Sequence, residues 1–449
     1  MISKWIQTGY HDGEIHQEQF EAGSIKEYGQ EKEAINLYPE ITYQTWEGFG
    51  GTLTEAAAYL YARMSPGRQE ELLDAYYSKE GLGYTMGRMA LDSCDACLGN
   101  YSALEKRVPP EDLSLPGFSI QRDETYILPF CKKVIERTDG ALNLMLSPWS
   151  PPPFMKTNGE KNHGGSLKPE YRAMWAWYFA RYIREYEKRG VRIRSISIQN
   201  EPIAVQTWDS CLYTAKQEKD FLNDYLYPVL KEAGLTDIEI YIWDHNKERA
   251  LERTIAVLDE ETEKMITGVA FHWYSGDHFE SLQMLREKYP ALKLRFSEGC
   301  VEYSVYTDSS ELENARVFGH DITGDLNGGA SSFIGWSILF DQDGGPNHVN
   351  NLCDAPILYN TRTDTLHRTL SYYYIGHYSR YITPGSVRIG MSRYTDTIDA
   401  TAFRRPDGQI AVVLMNRTAV RKKVFLRLKG EVFLVKLPGD AILSGLITE

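Results

Sequence analysis

Several things are scarce in this sequence, and each scarcity excludes a class of protein. No run approaches the roughly 18 consecutive apolar residues of a membrane span, so membrane insertion is not expected. Only 6 cysteines fall among 449 residues and they form no repeating framework, which rules out a scaffold built on disulfides. Cys94 and Cys97 spell C-x-x-C, but no second pair and no nearby pair of histidines completes a zinc site, so they read as structural thiols. The 10 histidines are scattered, with no His-x-His after a first strand, and no metal or other cofactor is expected. Positive charge is in deficit: 49 Lys and Arg against 62 Asp and Glu leave a net charge of −13, a field that repels a phosphate backbone and excludes nucleic acid as a partner. From Met1 to Gln30 there is no apolar stretch of the kind a secretory signal needs, so the expected location is the cytoplasm.

What is present is a long, ordinary globular chain, with 42% apolar and 25% charged residues, 30 Tyr and 9 Trp. Aromatic residues in that number suit both a packed core and stacking against sugar faces. From Trp46 to Ile382 short β-branched runs alternate with longer amphipathic ones, the pattern of parallel strands joined by crossover helices. Pro169 opens a helical segment in which Tyr171, Met174, Trp175, Tyr178, Tyr182, Ile183 and Tyr186 share a face, and Gly190 stands where a C-terminal cap belongs. A second helix carries Phe221, Leu222, Tyr225, Leu226, Val229 and Leu230 on one face and ends at Gly234.

Counting strand candidates gives eight: Gly48–Leu53, Tyr84–Leu91, Leu142–Ser147, Ser195–Gln199, Ile238–Trp243, Gly268–His272, Leu292–Ser297 and Ser332–Ile338. Eight parallel strands with crossover helices predict a closed (β/α)8 barrel of the α/β class, whose active site lies at the strands' C-terminal ends. Polar and aromatic clusters recur at those ends, among them Asp95, Trp149, Asn200-Glu201, Asp244-His-Asn246, His272-Trp-Tyr274, Glu298 and Trp336. After Pro384 the texture changes to alternating strand-length runs joined by turns such as Pro406-Asp-Gly408. The expected organisation is therefore a barrel over 46–382 and an all-β side domain over 383–449, to which 1–45 adds strands.

Two of the strand ends carry a carboxylate. Ile198-Gln-Asn-Glu-Pro202 places Glu201 just past the fourth strand, where a half-desolvated acid can donate a proton; a Glu that merely caps the next helix reads the same way. Leu292-Lys-Leu-Arg-Phe-Ser-Glu298 places Glu298 at the end of the seventh. Glycoside hydrolysis needs two carboxylates across the scissile bond, about 5–5.5 Å apart in retaining enzymes and wider in inverting ones. Two unrelated surface acids are the alternative. A metal-dependent hydrolase and a sugar-binding protein without activity are the competing functions, and retention of both strand-end glutamates argues against the second.

Seven segments in order, Trp46-Glu-Gly-Phe-Gly-Gly-Thr-Leu-Thr-Glu55, Ser147-Pro-Trp149, Lys156-Thr-Asn-Gly159, Asn200-Glu-Pro202, Phe271-His-Trp-Tyr274, Ser297-Glu-Gly-Cys300 and Gly344-Gly-Pro-Asn347, resemble glycoside hydrolase family 30, and within it the glucosylceramidase-like branch. Tyr372-Tyr-Tyr-Ile-Gly-His377 and Tyr381-Ile-Thr-Pro-Gly385 extend the likeness beyond the barrel. The resemblance implies a (β/α)8 barrel with a β-sandwich side domain from both chain ends, retaining β-glycosidase chemistry, no cofactor, and a small β-glycoside or oligosaccharide as substrate. It implies Glu201 as acid/base and Glu298 as nucleophile, with Asn200 at the sugar 2-hydroxyl. Arg88 and Tyr274 would hydrogen-bond the nucleophile, Asp95, Trp149, Trp336 and Asn351 would contact the sugar in the −1 subsite, and His272 would lie beside the carboxylates. Ser337 and the segment Asp244-His-Asn246 depart from the branch pattern, which leaves the sugar and aglycone open; an endo-acting β-1,6-glucanase or β-xylanase is the runner-up.

Overall fold

The computed structural model describes residues 1–26, 29 and 32–448. Residues 27, 28, 30, 31 and 449, which belong to the segments expected to build the side domain, lie outside the described residues.

Strands β1 (Ile2–His11), β2 (Glu14–Gly23), β3 (Ile25–Lys26) and β4 (Ala34–Thr45) come first. Eight more follow: β5 (Gly48–Thr52), β6 (Met86–Leu91), β7 (Asn143–Pro148), β8 (Ile193–Ser197), β9 (Glu239–Asn246), β10 (Gly268–His272), β11 (Lys293–Glu298) and β12 (Ser332–Ser337). These eight pair in parallel and in sequence, and β12 closes on β5, so the sheet is a barrel without edges. Each overlaps one of the eight runs read from the sequence, with ends shifted by up to three residues, the largest shift being the C-terminal end of β9. Closure is tight at β5, where a Cβ on Gly50 would stand 2.1 Å from the carbonyl oxygen of Met86 on the neighbouring strand; only glycine lets the two backbones approach so closely.

The barrel interior is filled in layers. Met86, Met145, Tyr241, Ala270 and Ile334 form an apolar layer of their own. Beneath it Arg295, fully buried, donates to Ser195 and Glu47 and lies with its guanidinium 4.1 Å from the Tyr241 ring centre. Outside the barrel, the helix Arg172–Lys188 buries the expected Met174, Trp175, Tyr178, Tyr182, Ile183 and Tyr186, and the chain turns at Gly190 with φ of +83°. The second expected helix is not one regular element: it runs Ala215–Phe221, widens to a π turn over Leu222–Leu226, then resumes as Tyr227–Glu232. Pro228 has no N–H to give, and the wider turn absorbs the missing hydrogen bond.

A small sheet of β13 (Leu339–Asp341), β14 (Ile357–Asn360) and β15 (Thr365–Arg368) follows the barrel. Then come β16 (Val387–Arg393), β17 (Ile398–Arg404), β18 (Ile410–Asn416), β19 (Lys422–Leu428), β20 (Glu431–Leu437) and β21 (Ala441–Thr448). They form one ten-stranded hydrogen-bonded order with the first four, β2-β1-β21-β18-β17-β16-β4-β19-β20-β3, folded into a β sandwich. Both ends of the described chain enter it: β1 pairs with β21, and β4 lies between β16 and β19. Its alternating inward residues, including Trp5, Ile35, Leu37, Ile398, Val412, Leu426 and Val435, make a core separate from that of the barrel. Gln44 on β4 joins the two bodies by donating to the carbonyls of Leu326 and Ala330 at the end of the barrel helix Glu311–Gly328. All six cysteines are free thiols and buried, Cys94 and Cys97 with their sulfurs 3.6 Å apart. Among the described residues no helix is long and apolar enough to cross a membrane.

Candidate active site

The C-terminal mouth of the barrel collects the polar residues that ended the strands in sequence. Strand β8 stops at Ser197, and the next four residues turn across the mouth. The amide of Asn200 donates to the Pro148 carbonyl (2.8 Å), and that of Glu201 to the Asp244 carbonyl (2.9 Å). Glu201 has a positive φ of +46°, a conformation that a non-glycine residue holds only where its surroundings fix it. Glu201 is 8% exposed, against 7% for Glu298, which is the last residue of β11.

The two carboxylates have different neighbours. Glu298 accepts from the Arg88 guanidinium at 2.5 Å and from the Tyr274 hydroxyl at 3.1 Å. Glu201 faces imidazoles: His272 Nδ1 is 3.3 Å from its Oε1, and His245 Nδ1 is 3.7 Å from the same oxygen. That His272 nitrogen is also 4.0 Å from Glu298, so one imidazole touches both acids.

Arg88, on β6 and wholly buried, is the hub. Beyond Glu298 it donates to Asn200 Oδ1 (2.7 Å), Asp244 Oδ2 (2.8 Å) and Ser147 Oγ (3.1 Å), and its guanidinium lies 4.6 Å from the Trp149 ring centre. Trp149 in turn packs on Trp336, with ring centres 5.5 Å apart. Asp95 accepts from Asn347 at 3.0 Å and from Asn351 at 3.5 Å. Eight of the ten residues singled out in the sequence are thus linked by direct contacts at the mouth, and Asp95 and Asn351 pair with each other near enough that the charge of Glu298 raises Asp95.

Three residues that matter here were not assigned a role from the sequence. Asn347 is one. Asp244 and His245 are the others, and both are buried at the mouth because β9 carries a bulge opposite Ala270 and Phe271, where Trp243 and Asp244 take φ of +73° and +51°. Asp244 accepts from Ser197, Ser297, Arg88 and His272 together. The departure at position 337 is structural: the Ser337 hydroxyl donates to the Leu339 carbonyl and contacts Thr54 Oγ1.

The electrostatics correct one expectation. Burial alone was expected to raise Glu201 for proton donation; burial does push it up, but the hydrogen bond from His272 and the charges of His245 and His272 outweigh that and hold it down at about 2. The partner explains where the proton is. Burial would lower His272, yet the charge of Glu298 and hydrogen bonds to Asp244 and Glu201 raise it to about 9. The Glu201–His272 pair therefore holds one proton through neutral pH, on the imidazole at rest. Glu298 is shifted up by burial, with His272 and Arg88 pulling it down and the charge of Glu201 adding to the rise. Asp95 reaches about 7, from burial first and then the charge of Glu298. Tyr274 is raised by burial and nearby charge, so it remains a donor. Glu201, His245 and His272 bring one donor atom each within 4.8 Å of the others, a set able to hold a metal ion.

Paired acids across a barrel mouth walled by tryptophans are the equipment of a glycosidase, and comparison with known proteins agrees on the class: this is a glycoside hydrolase. The TIM-barrel domain model of glycosyl hydrolase family 30 matches residues 46–382, and the β-sandwich domain model of the same family matches 385–444. The chain belongs to glycosyl hydrolase family 30. It is 30% identical over 404 residues to the lysosomal acid glucosylceramidase of Mus musculus, covering 86% of this chain and 77% of that one. Among solved structures, SrfJ from Salmonella typhimurium is 36% identical with a TM-score of 0.95, covering 100% of both chains. The endo-β1,6-glucanase BT3312 is 25% identical with a TM-score of 0.85, covering 100% of this chain and 99% of that one.

Proposed function

We propose that the protein is a retaining β-glycosidase that removes a terminal β-linked sugar, with Glu298 as nucleophile and Glu201 as acid/base. The observation that carries this reading is the asymmetry around the two acids. Glu298 is gripped by donors, a guanidinium and a phenol, which favour its ionised form and aim its lone pairs. Glu201 sits instead against an imidazole that holds a proton and can exchange it.

In this reading Glu298 attacks the anomeric carbon while the glycosidic oxygen takes a proton from Glu201, and the carbon–oxygen bond breaks. Glu201 draws that proton from His272 Nδ1, one hydrogen bond away. Water then enters, gives its proton back to Glu201, and displaces Glu298, so the product keeps the β configuration. Asp244 anchors both Arg88 and His272, and so aligns the nucleophile's cation with the proton store. Asp95, Trp149, Trp336, Asn200 and Asn351 are proposed to hold the sugar. The likeness to the mouse enzyme supports an exo-acting, glucosylceramidase-like specificity, and the likeness to the endo-β1,6-glucanase supports chain cleavage as the second reading.

The test is a panel of aryl β-glucoside, β-xyloside, β-fucoside and β-galactoside, with the first-formed anomer followed by NMR. Release of the β anomer from one of them is expected; the α anomer first would refute retention. Oligosaccharides from a β-1,6-glucan, in place of aryl glycoside turnover, would establish the endo reading instead.

A further inference from the structure

In the reading above His272 is the proton-exchanging partner of Glu201. His245 is left over. Its Nδ1 is buried, has no hydrogen-bond partner among the described residues, and lies 3.7 Å from the oxygen of Glu201 that His272 also faces. All three side chains belong to residues less than 9% exposed. The far nitrogen of His272, Nε2, is tied to Asp244 Oδ1 at 3.1 Å, which fixes the ring and leaves Nδ1 aimed at Glu201. A carboxylate behind an imidazole is the usual support of a metal-bound histidine.

Two imidazole nitrogens and one carboxylate oxygen, with room for a water, are the ligand set of an open zinc site. A tetrahedral ion with bonds of about 2.0–2.1 Å sets its donors about 3.3 Å apart. His272 and Glu201 already stand at 3.3 Å, His245 and Glu201 at 3.7 Å, and no pair exceeds 4.8 Å. Asp244 and Glu298 add negative charge around the point where the donors converge. The nitrogen donors select borderline divalent transition ions over magnesium and calcium, which seek oxygen.

We propose that Glu201, His245 and His272 form a binding site for a divalent transition ion such as Zn2+ or Cu2+, and that its occupancy stops hydrolysis. The cation takes the place of the proton shared by Glu201 and His272. A metal-bound Glu201 neither protonates a leaving oxygen nor deprotonates water. The binding stands on geometry alone, whereas the inhibition rests on the reading of Glu201 as acid/base.

The experiment titrates Co2+ into the chelator-washed protein and follows the visible bands of a tetrahedral cobalt centre, alongside calorimetry with Zn2+ and the hydrolysis rate. One ion per chain is expected, with activity lost in step and restored by a chelator. His245→Leu and Glu201→Gln, each checked for an unchanged melt, should bind Zn2+ at least about tenfold more weakly, the scale on which support of a metal site is lost. The cobalt spectrum reads this even in a variant without activity. Equal binding by His245→Leu, a sulfur-to-cobalt charge-transfer band that places the ion on Cys94 and Cys97, or no binding at all would overturn the site. Binding that left hydrolysis untouched would overturn the inhibition, and with it the acid/base role of Glu201.

Discussion

Replacing Arg88 by methionine tests the charge balance of the mouth. The side chain is wholly buried and donates to two carboxylates, an amide and a hydroxyl. Its removal leaves Glu298, Asp244 and Glu201 facing a single imidazolium, so one acid must take up a proton. That acid is Glu298, which burial and the charge of Glu201 already push upward. The structure predicts both a lower rate and a real loss of stability. Breaking a buried ion pair from one side costs about 3–5 kcal/mol, because the partner is left charged and unpaired. The assays are thermal and denaturant unfolding, together with the pH dependence of kcat/KM on a dinitrophenyl β-glycoside, whose leaving group needs no proton. On that substrate the acidic limb reports Glu298. It should move to higher pH in Arg88→Met, and below the limb each unit of movement costs about tenfold in the ionised fraction. Adding Asp244→Asn removes the second stranded carboxylate, so the double variant should be more stable than the sum of the singles by about 0.5–3 kcal/mol. A variant that melts like the parent with an unmoved acidic limb, or strict additivity in the double variant, would refute the balance.

Glu298→Ala should lose turnover of every substrate, whereas Glu201→Ala should form the glycosyl-enzyme from a dinitrophenyl glycoside, stall after one turnover, and be rescued by azide to a β-glycosyl azide. An α-azide from Glu201→Ala would reverse the roles. His272→Gln should pull in the alkaline limb: in the parent the pair's proton is present below about 9 and lost as pH rises through it, and without the imidazole the remaining acid loses its proton at lower pH. At pH 8 the rate on a poor leaving group should then fall by at least about tenfold, and an unshifted limb would remove His272 from the proton store. Gly50→Ala should fail to give folded protein, since its Cβ would meet the Met86 carbonyl at 2.1 Å, while Gly67→Ala, with nothing within 4 Å, should be neutral or stabilising by up to about 1 kcal/mol; soluble Gly50→Ala with a parental melt would contradict the backbone contact.

Much of this was legible because it is local. Strands β8 and β11 read as short runs in which β-branched or large apolar residues recur between turn signals, and the carboxylate that follows such a run marks its C-terminal end. Glu298 could be placed that way to the residue. Glu201 could be placed on the right strand, but the expected strand ran on to Gln199, whereas β8 stops at Ser197 and the chain turns through a left-handed residue at Glu201. What stayed hidden depends on backbone irregularity. Alternation along a strand puts Asp244 and His245 on opposite faces, yet the bulge of β9 brings both to the mouth. The proton's resting place was hidden for the same reason, since it follows from two imidazoles that only the bulge and the end of β10 bring together. The π turn at Leu222–Leu226 is a milder case, with Pro228 as its visible sign.

The pairing of β1 with β21 has a consequence for how the chain is made. A ribosome that has delivered Ile382 has supplied all eight barrel strands, but not one of the six later strands of the sandwich. Until they emerge, the β1–β2 hairpin presents the open edge that β21 will occupy, from Ile2 opposite Thr448 to Gly9 opposite Ala441, and β4 has neither β16 nor β19 beside it. These strands, made before the barrel, are thus completed only after it, and they carry Trp5, Ile35 and Leu37 in wait of an apolar core. Exposed edges with apolar faces are where nascent chains associate wrongly. A stop anywhere between Ile382 and Ala441 leaves a whole barrel tethered to a sticky half-sheet, and the failure of such a protein is in its solubility before it is in its chemistry.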